Sequence, residues 1–150
     1  MKIYLAHATK DMKYVRRLIQ PKLKEIFDII INPFDYEHWE KDNESLIYKS
    51  TKYIAYKIQL KRKAYKTVER DLQQIDECDG IVAFIRSQSV GLFMELFYGY
   101  MKYKRKKPIY IILHESKHNL LTHPWLLTVS DKIFKNVDEL IKYVRRGNGE

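Results

Sequence analysis

Short apolar runs alternate with longer amphipathic segments along the chain. The runs are rich in β-branched residues and predict five strands, at residues 2–8, 28–32, 81–85, 106–113 and 131–134. The third run, IVAFI, is apolar at every position, which is typical of a central parallel strand buried on both faces. Pro33 ends the second strand, because proline has no N–H to continue the hydrogen-bond ladder.

Helical patterns fill the intervals between these runs. They cover residues 9–27, about 50–77, 89–101 and 136–146. Pro21 lies inside the first helix and is expected to kink or split it. Asn136 is a suitable N-cap for the last helix. The polar stretch 35–50 is predicted to be a loop with helical pieces.

Alternation of strand and helix over 150 residues predicts a single α/β domain spanning residues 1–150. We expect a Rossmann- or flavodoxin-like fold, with a mostly parallel five-stranded sheet and helices on both faces. Ligands of such sheets bind in the crevice at the carboxyl ends of the strands. The candidate ligand-binding residues are therefore those that follow the strands, at 4–10, 32–36, 86–95 and from 114 onward.

The net charge of the chain indicates which type of ligand it can bind. Lys and Arg outnumber Asp and Glu by 28 to 19, a net charge of +9, which favours anionic ligands. The basic residues are spread along the chain, and the run QLKRKAYK (59–66) is typical of a solvated helix face. A nucleotide is therefore a better expectation than a nucleic acid.

The single cysteine, Cys78, excludes an intrachain disulfide and a cysteine-rich zinc site. Its position at the end of a predicted helix favours a small core residue. No apolar run is long enough to cross a bilayer, and the N-terminus has no signal-peptide pattern. We expect a cytoplasmic protein without a membrane partner.

One carboxylate stands out in the third helix. In SVGLFMELFYGYM (89–101), Glu95 has apolar neighbours on every side of the helix. An ionised, unpaired carboxylate there would cost several kcal/mol, so its pKa must rise or a partner must hold it. The alternative is that Glu95 reaches past its neighbours to water. Ser89 can cap the helix, and Gly91 leaves room for a ligand at its first turn.

A second acid is also predicted to lie on an inward-facing side of its helix. Asp71 lies three residues after Val68 and four before Ile75, on the predicted inward face of its helix. Arg70 could pair with it, but on a helix this residue points elsewhere, and the same holds for Lys66. Two inward carboxylates at one crevice suit acid–base or nucleophilic work, including glycosidic cleavage. A hydroxyl from Tyr4 could orient one of them, although packing on a helix explains Tyr4 equally well.

Three segments together resemble the nucleoside 2-deoxyribosyltransferase superfamily. They are IYLAHA with Tyr4, ERDLQQIDECDGIVAFI with Asp71, and SVGLFMELFYG with Glu95. The resemblance implies that Glu95 is a nucleophile that attacks C1′ of a nucleoside or nucleotide. It further implies that Asp71 helps to protonate the departing base and that Tyr4 holds Glu95 in place. A weaker match at LTVSDKIFKNVDEL extends the resemblance to about residue 140.

The same resemblance implies a homo-oligomer, at least a dimer, whose sites borrow residues from the neighbouring subunit. It implies no metal and no organic cofactor. His123 falls near the position that contacts the neighbour's 5′ group in that family. The stretch 35–66 has no match, and it is expected to shape the base pocket or an oligomer contact.

Departures from the family pattern point to the 5′ end of the substrate. Members acting on free nucleosides have an aspartate where this chain has Ser89, and serine is similar to the branch that hydrolyses nucleoside 5′-monophosphates. A hydroxyl at a helix N-terminus suits a phosphate, whereas an aspartate would repel it. The monophosphate branch has a Gly-Ser-x-Arg-like loop where this chain has HATK, so Ala8 lacks the hydroxyl. Lys10 keeps the positive charge, and His7 is a hydrogen-bond donor.

The sequence therefore favours an N-glycosidase that cleaves a nucleoside 5′-monophosphate, with deoxynucleotides among the candidate substrates. Base exchange on free deoxynucleosides by a transferase is the alternative that the altered loop keeps open. A non-catalytic module that binds a nucleotide or nucleic acid is compatible with the charge of +9. Retention of Tyr4, Asp71 and Glu95 together argues against the last hypothesis.

Overall fold

The computed structural model describes residues 1–36 and 53–147. Within these ranges one sheet has the strand order β2-β1-β3-β4-β5, and every pair of neighbouring strands is parallel. The predicted α/β fold with five strands is confirmed, and this order is that of flavodoxin-like folds. The strands are β1 (Lys2–His7), β2 (Ile29–Ile31), β3 (Gly80–Ile85), β4 (Ile109–Leu113) and β5 (Lys132–Phe134).

Helices follow the strands, as the alternating pattern predicts. They are α1 (Met12–Tyr14), α2 (Gln20–Leu23), α3 (Tyr53–Glu77), α4 (Val90–Tyr103), α5 (Pro124–Val129) and α6 (Val137–Gly147), with short 3₁₀ segments at Thr9–Asp11, Pro33–Tyr36 and Glu115–Thr122. Most of the predicted loop 35–50 lies outside the described residues. Among the described helices, none combines the length and the apolar character that a membrane span requires.

Pro21 splits the first predicted helix, as expected. A π-helical turn at Val15–Ile19 separates α1 from α2, and the Gln20 N–H donates to the carbonyl of Val15. Because Pro21 has no N–H, the regular pattern of helical hydrogen bonds cannot continue through it. The longer π-type bond keeps the chain helical across this interruption.

The two faces of the sheet pack against different helices. Side chains alternate along a strand, so Tyr4 and Ala6 share one face with α3, α4 and α5, which we call the front face. Ile3 and Leu5 lie on the back face with α1, α2 and α6. All four of these β1 side chains have no exposed surface, so β1 is buried on both faces.

The long helix α3 rests on the sheet only with its C-terminal part. Ile75 is fully buried, whereas Val68 is 54% exposed. The prediction that Val68 lies on the core face is therefore wrong. The physical reason is length, because 25 helical residues span about 37 Å. The six residues of β3 span about 20 Å. The N-terminal part of α3 must extend past the sheet, and Asp71 lies near the transition.

Helix α4 lies close to the sheet along one side. Leu92, Leu96 and Gly99 are its buried residues. A Cβ atom added to Gly99 would clash with Cδ1 of Ile81, so glycine permits the close approach. On the opposite side of α4, apolar side chains are exposed. Apolar residues surround Glu95 because one set packs on the sheet and another remains at the surface.

Candidate functional site

The hydroxyl of Tyr4 donates a hydrogen bond to Oε1 of Glu95 at 2.9 Å. Strand β1 directs Tyr4 to the front face, where the side chain has no exposed surface. Glu95 lies in the second turn of α4, which packs across β1 and β3. The sheet and the helix therefore bring together two polar groups that are 91 residues apart in sequence.

The surroundings of Glu95 favour its protonated form. Burial is the largest influence, and with the negative charge of Asp71 it raises the pKa of Glu95 to about 8. The hydrogen bond from Tyr4 and the positive charge of Arg70 act in the opposite direction. Burial and the two nearby carboxylates also raise the pKa of Tyr4, which remains a hydrogen-bond donor at neutral pH. The site thus pairs a fully buried phenol with a partly buried carboxylic acid whose pKa is raised to about 8.

Asp71 is the third member of this cluster. Its charge raises the pKa of both Tyr4 and Glu95, so it lies within electrostatic reach of them. Its side chain is 17% exposed and forms an ion pair with Arg70, whose Nη2 lies 2.5 Å from Oδ1. The expectation that Arg70 points elsewhere is wrong, because its long, flexible side chain curls back to the next residue. Asp71 therefore enters the site together with a counter-ion.

A polar contact between α3 and α4 supports this arrangement. Asp76 accepts hydrogen bonds from Tyr98 at 3.0 Å, from Lys102 at 2.6 Å and from Tyr103. Burial alone would raise the pKa of Asp76, but these donors hold it below its usual value. Because Asp76 follows Asp71 by five residues and Tyr98 follows Glu95 by three, this contact holds together the helices that carry the two acids.

The N-terminus of α4 opens at the carboxyl edge of the sheet. Ser89 has an extended backbone, and its Oγ accepts a hydrogen bond from the Leu92 N–H at 3.4 Å. The predicted N-cap is therefore confirmed. A Cβ atom added to exposed Gly91 would contact only Oγ of Ser89, at 3.9 Å. Free N–H groups in this first turn and the helix dipole make the position favourable for an anion.

His7 points away from this position. It is 3% exposed, and its ring nitrogens lie 2.9 Å from the Ala8 carbonyl and 3.0 Å from Oδ1 of Asn32. Burial lowers the pKa of His7. The structure does not bring this ring to Glu95, and its substrate role stays a prediction. Lys10 is exposed in the turn that follows β1, where its charge remains accessible.

His123 lies in a different environment. It is exposed and lines an apolar groove of about 500 Å³ together with Met94, Phe97 and Trp125. The rings of Phe97 and Trp125 meet edge to face, with centroids 6.3 Å apart. Glu95 does not line this groove, so within one chain His123 is separate from the carboxylate cluster.

Sequence reasoning missed a buried acid beside the site. Asp11 is 2% exposed and accepts hydrogen bonds from Ser87, from the N–H at 2.9 Å and from Oγ at 3.0 Å. Nη1 of Arg86 lies 4.0 Å from the same carboxylate. The candidate residues after the first strand end at Lys10, one residue before Asp11, and no spacing pattern links Asp11 to Ser87, 76 residues later.

Metal ligation is a separate question. In residues 1–36 and 53–147, no group of three or more His, Cys, Asp or Glu side chains is arranged to hold a metal ion. Comparison with known proteins adds no assignment, because no family model and no curated protein matches the chain. The hypothesis about function therefore depends on the residues and their geometry.

Proposed function

We propose that the chain cleaves the N-glycosidic bond of a nucleoside 5′-monophosphate. The observation that supports this most directly is the contact of 2.9 Å between the hydroxyl of fully buried Tyr4 and Oε1 of Glu95. Asp71 lies within electrostatic reach of both. A phenol that orients one carboxylate close to a second one suits a nucleophilic glycosidase, which uses two carboxyl groups.

In this proposal Glu95 attacks C1′ as a carboxylate, and a glycosyl ester forms as the bond from C1′ to the base nitrogen breaks. The bonding electrons move to the base, and Asp71 assists its protonation. Water then attacks C1′, losing a proton, and releases the sugar phosphate with Glu95 restored as a carboxylate. With its pKa raised to about 8, Glu95 is mainly protonated at pH 7. Activity should therefore increase with pH.

The 5′-phosphate is assigned to the N-terminus of α4. Ser89 caps this helix with its hydroxyl, and Gly91 leaves the first turn open. Exposed Lys10, in the loop after β1, supplies a positive charge at the carboxyl edge. An aspartate at position 89 would add a negative charge where the phosphate has to bind, so serine favours monophosphates over free nucleosides.

The test is a panel of nucleoside 5′-monophosphates and free nucleosides, with chromatography for released base. Release from monophosphates that Glu95→Ala abolishes is the expected result. Exchange of bases between free deoxynucleosides would instead favour the transferase. Absence of both reactions, with salt-sensitive binding of DNA or RNA, would favour a binding module.

A single substitution tests the phosphate assignment. Ser89→Asp retains a side chain that can cap α4, because aspartate is as good an N-cap as serine. It adds a negative charge where the phosphate is assigned. We expect loss of activity on monophosphates, with activity on nucleosides spared. Equal loss on both substrates would contradict the assignment of the phosphate to this helix end.

We also propose that the working unit is a homo-oligomer. Four apolar residues with helical spacing form an exposed stripe along α4, namely Val90, Met94, Phe97 and Met101, with exposed fractions of 81%, 61%, 39% and 51%. A second copy on this stripe would cover the adjacent groove and bring the subunits together at His123. Sedimentation of Met94→Glu against the unchanged chain tests this idea. A monomeric unchanged chain would contradict it.

A further inference from the structure

The buried carboxylate of Asp11 has no role in the proposed chemistry. Both of its oxygens accept hydrogen bonds from Ser87, one from the backbone N–H and one from the hydroxyl. Removing a carboxylate from water costs several kcal/mol unless it is well solvated by the protein. These two bonds and nearby Arg86 reduce that cost, so the contact between Asp11 and Ser87 is specific rather than incidental.

This contact joins the two loops that leave the centre of the sheet. Asp11 follows β1, and Ser87 lies between the end of β3 and the start of α4. Strands β1 and β3 are neighbours, but the chain leaves β1 towards the back face and leaves β3 towards the front face. The two loops therefore diverge at this point. A side chain that reaches from one loop to the other fixes their relative position.

Apolar packing also holds the start of α4 against the sheet. Leu92 and Leu96 bury the helix against the sheet, and Tyr98 anchors its C-terminal half to Asp76. Apolar packing is not directional, so it opposes separation of helix and sheet more than sliding along it. Ser87 is three residues before Val90, the first residue of α4. A hydrogen-bonded anchor at Ser87 therefore limits movement of this end along the sheet.

We propose that Asp11 is a positioning residue, which sets the place of α4 on the sheet and so maintains the contact between Tyr4 and Glu95. The two oxygens of this contact are 2.9 Å apart. A displacement of about 1 Å along the helix axis is enough to weaken such a bond severely. The catalytic consequence depends on the proposed function, but the effect on the site geometry does not.

The test reads the state of Glu95 directly, by NMR titration of its ¹³C-labelled carboxyl group, assigned by its loss in Glu95→Gln. In the unchanged chain this carboxyl should titrate near 8. Asp11→Ala removes both hydrogen bonds to Ser87. The contact with Tyr4, which lowers the pKa of Glu95, should then be lost, and this pKa should rise above 8. On a substrate identified by the panel, kcat/KM should fall about tenfold or more.

Three further variants separate geometry from charge and from folding. Asp11→Asn can still accept from the Ser87 N–H and can donate to its hydroxyl, so it should retain the pKa of Glu95. Ser87→Ala removes one of the two bonds and should raise this pKa by less than Asp11→Ala does. Asp138→Ala removes a surface carboxylate of α6, which pairs with Lys22 of α2. This control variant should leave the pKa of Glu95 unchanged.

Two results would overturn the proposal. The first is a Glu95 pKa that stays near 8 in Asp11→Ala and in Ser87→Ala while thermal stability falls, since Asp11 would then be purely structural. The second is an Asp11→Asn variant that behaves like Asp11→Ala, since charge would then be the cause. An unchanged chain that releases no base, combined with a raised Glu95 pKa in Asp11→Ala, would refute the proposed function and leave the positioning role intact.

Discussion

Replacing Glu95 by glutamine should make the protein more resistant to unfolding at alkaline pH. In the folded chain the pKa of Glu95 is about 8, compared with 4.5 for an ordinary glutamate. The folded state therefore binds this proton more tightly than the unfolded state does between these values. Stability from this group is present below pH 4.5 and is lost as the pH rises through the window to about 8.

The size of the effect follows from the two pKa values. Each unit of pKa difference corresponds to about 1.4 kcal/mol, so the full loss across the window is about 5 kcal/mol. Entry of water beside the carboxylate reduces this ceiling, and we expect a change of about 2–5 kcal/mol. The amide introduced by Glu95→Gln imitates the protonated acid, since its carbonyl can still accept the hydrogen bond from Tyr4.

The assay is urea denaturation of both proteins at intervals between about pH 4.5 and pH 9.5, which brackets the two pKa values. The quantity of interest is the difference in the free energy of unfolding between Glu95→Gln and the unchanged chain, because other titrating groups cancel in it. This difference should be close to zero at the acid end and should rise in favour of the variant up to about pH 9. A difference that stays flat would show that Glu95 titrates as a solvent-exposed acid, and the reasoning about a water-poor site would be refuted.

Three more outcomes follow from the same geometry. Tyr4→Phe removes the hydrogen bond that holds the ionised, attacking form of Glu95, worth about 1.5–3 kcal/mol, and should lower kcat/KM for base release about 10–100-fold. Asp71→Asn should move the pKa of Glu95 below 8, seen as a shift of the rising limb of the pH–rate profile, and should lower kcat on the order of 100-fold. Gly99→Ala should cost about 1–3 kcal/mol of unfolding free energy, because its methyl group meets Ile81. Ile81→Val removes the opposing Cδ1 atom and should make that cost smaller in the double variant, as denaturation of all four proteins would reveal.

The periodicity of apolar residues was sufficient for most of the architecture. All five strands are short and apolar, and helical patterns cover α1 to α4 and α6, so local composition predicts these elements; helix α5 was not predicted. Pro21 and Ser89 act within a few residues of themselves, and their predicted effects on α1, α2 and α4 are confirmed. Whether the domain includes residues 37–52 stays a prediction.

Predictions that required the position of an element in space were less accurate. Val68 has the spacing of a core residue, yet it is exposed, because helical periodicity does not tell how far a helix extends beyond the sheet. Arg70 reaches Asp71 because a long side chain has several rotamers, and the helical wheel describes only where it starts. His7 lies at a strand end as expected, but its ring points into the protein.

The sequence alone predicts a parallel α/β sheet, and it identifies Glu95 as an acid surrounded by apolar residues in a helix. Both are local properties, set by side-chain alternation and by the cost of burying charge. The hydrogen bond from Tyr4 to Glu95 joins two residues that are 91 positions apart in sequence. The contact between Asp11 and Ser87 joins two that are 76 positions apart. Such pairs depend on how the strands pair and how closely α4 approaches the sheet. They exist only once the chain has packed, since no repeating pattern in sequence records a contact between distant segments.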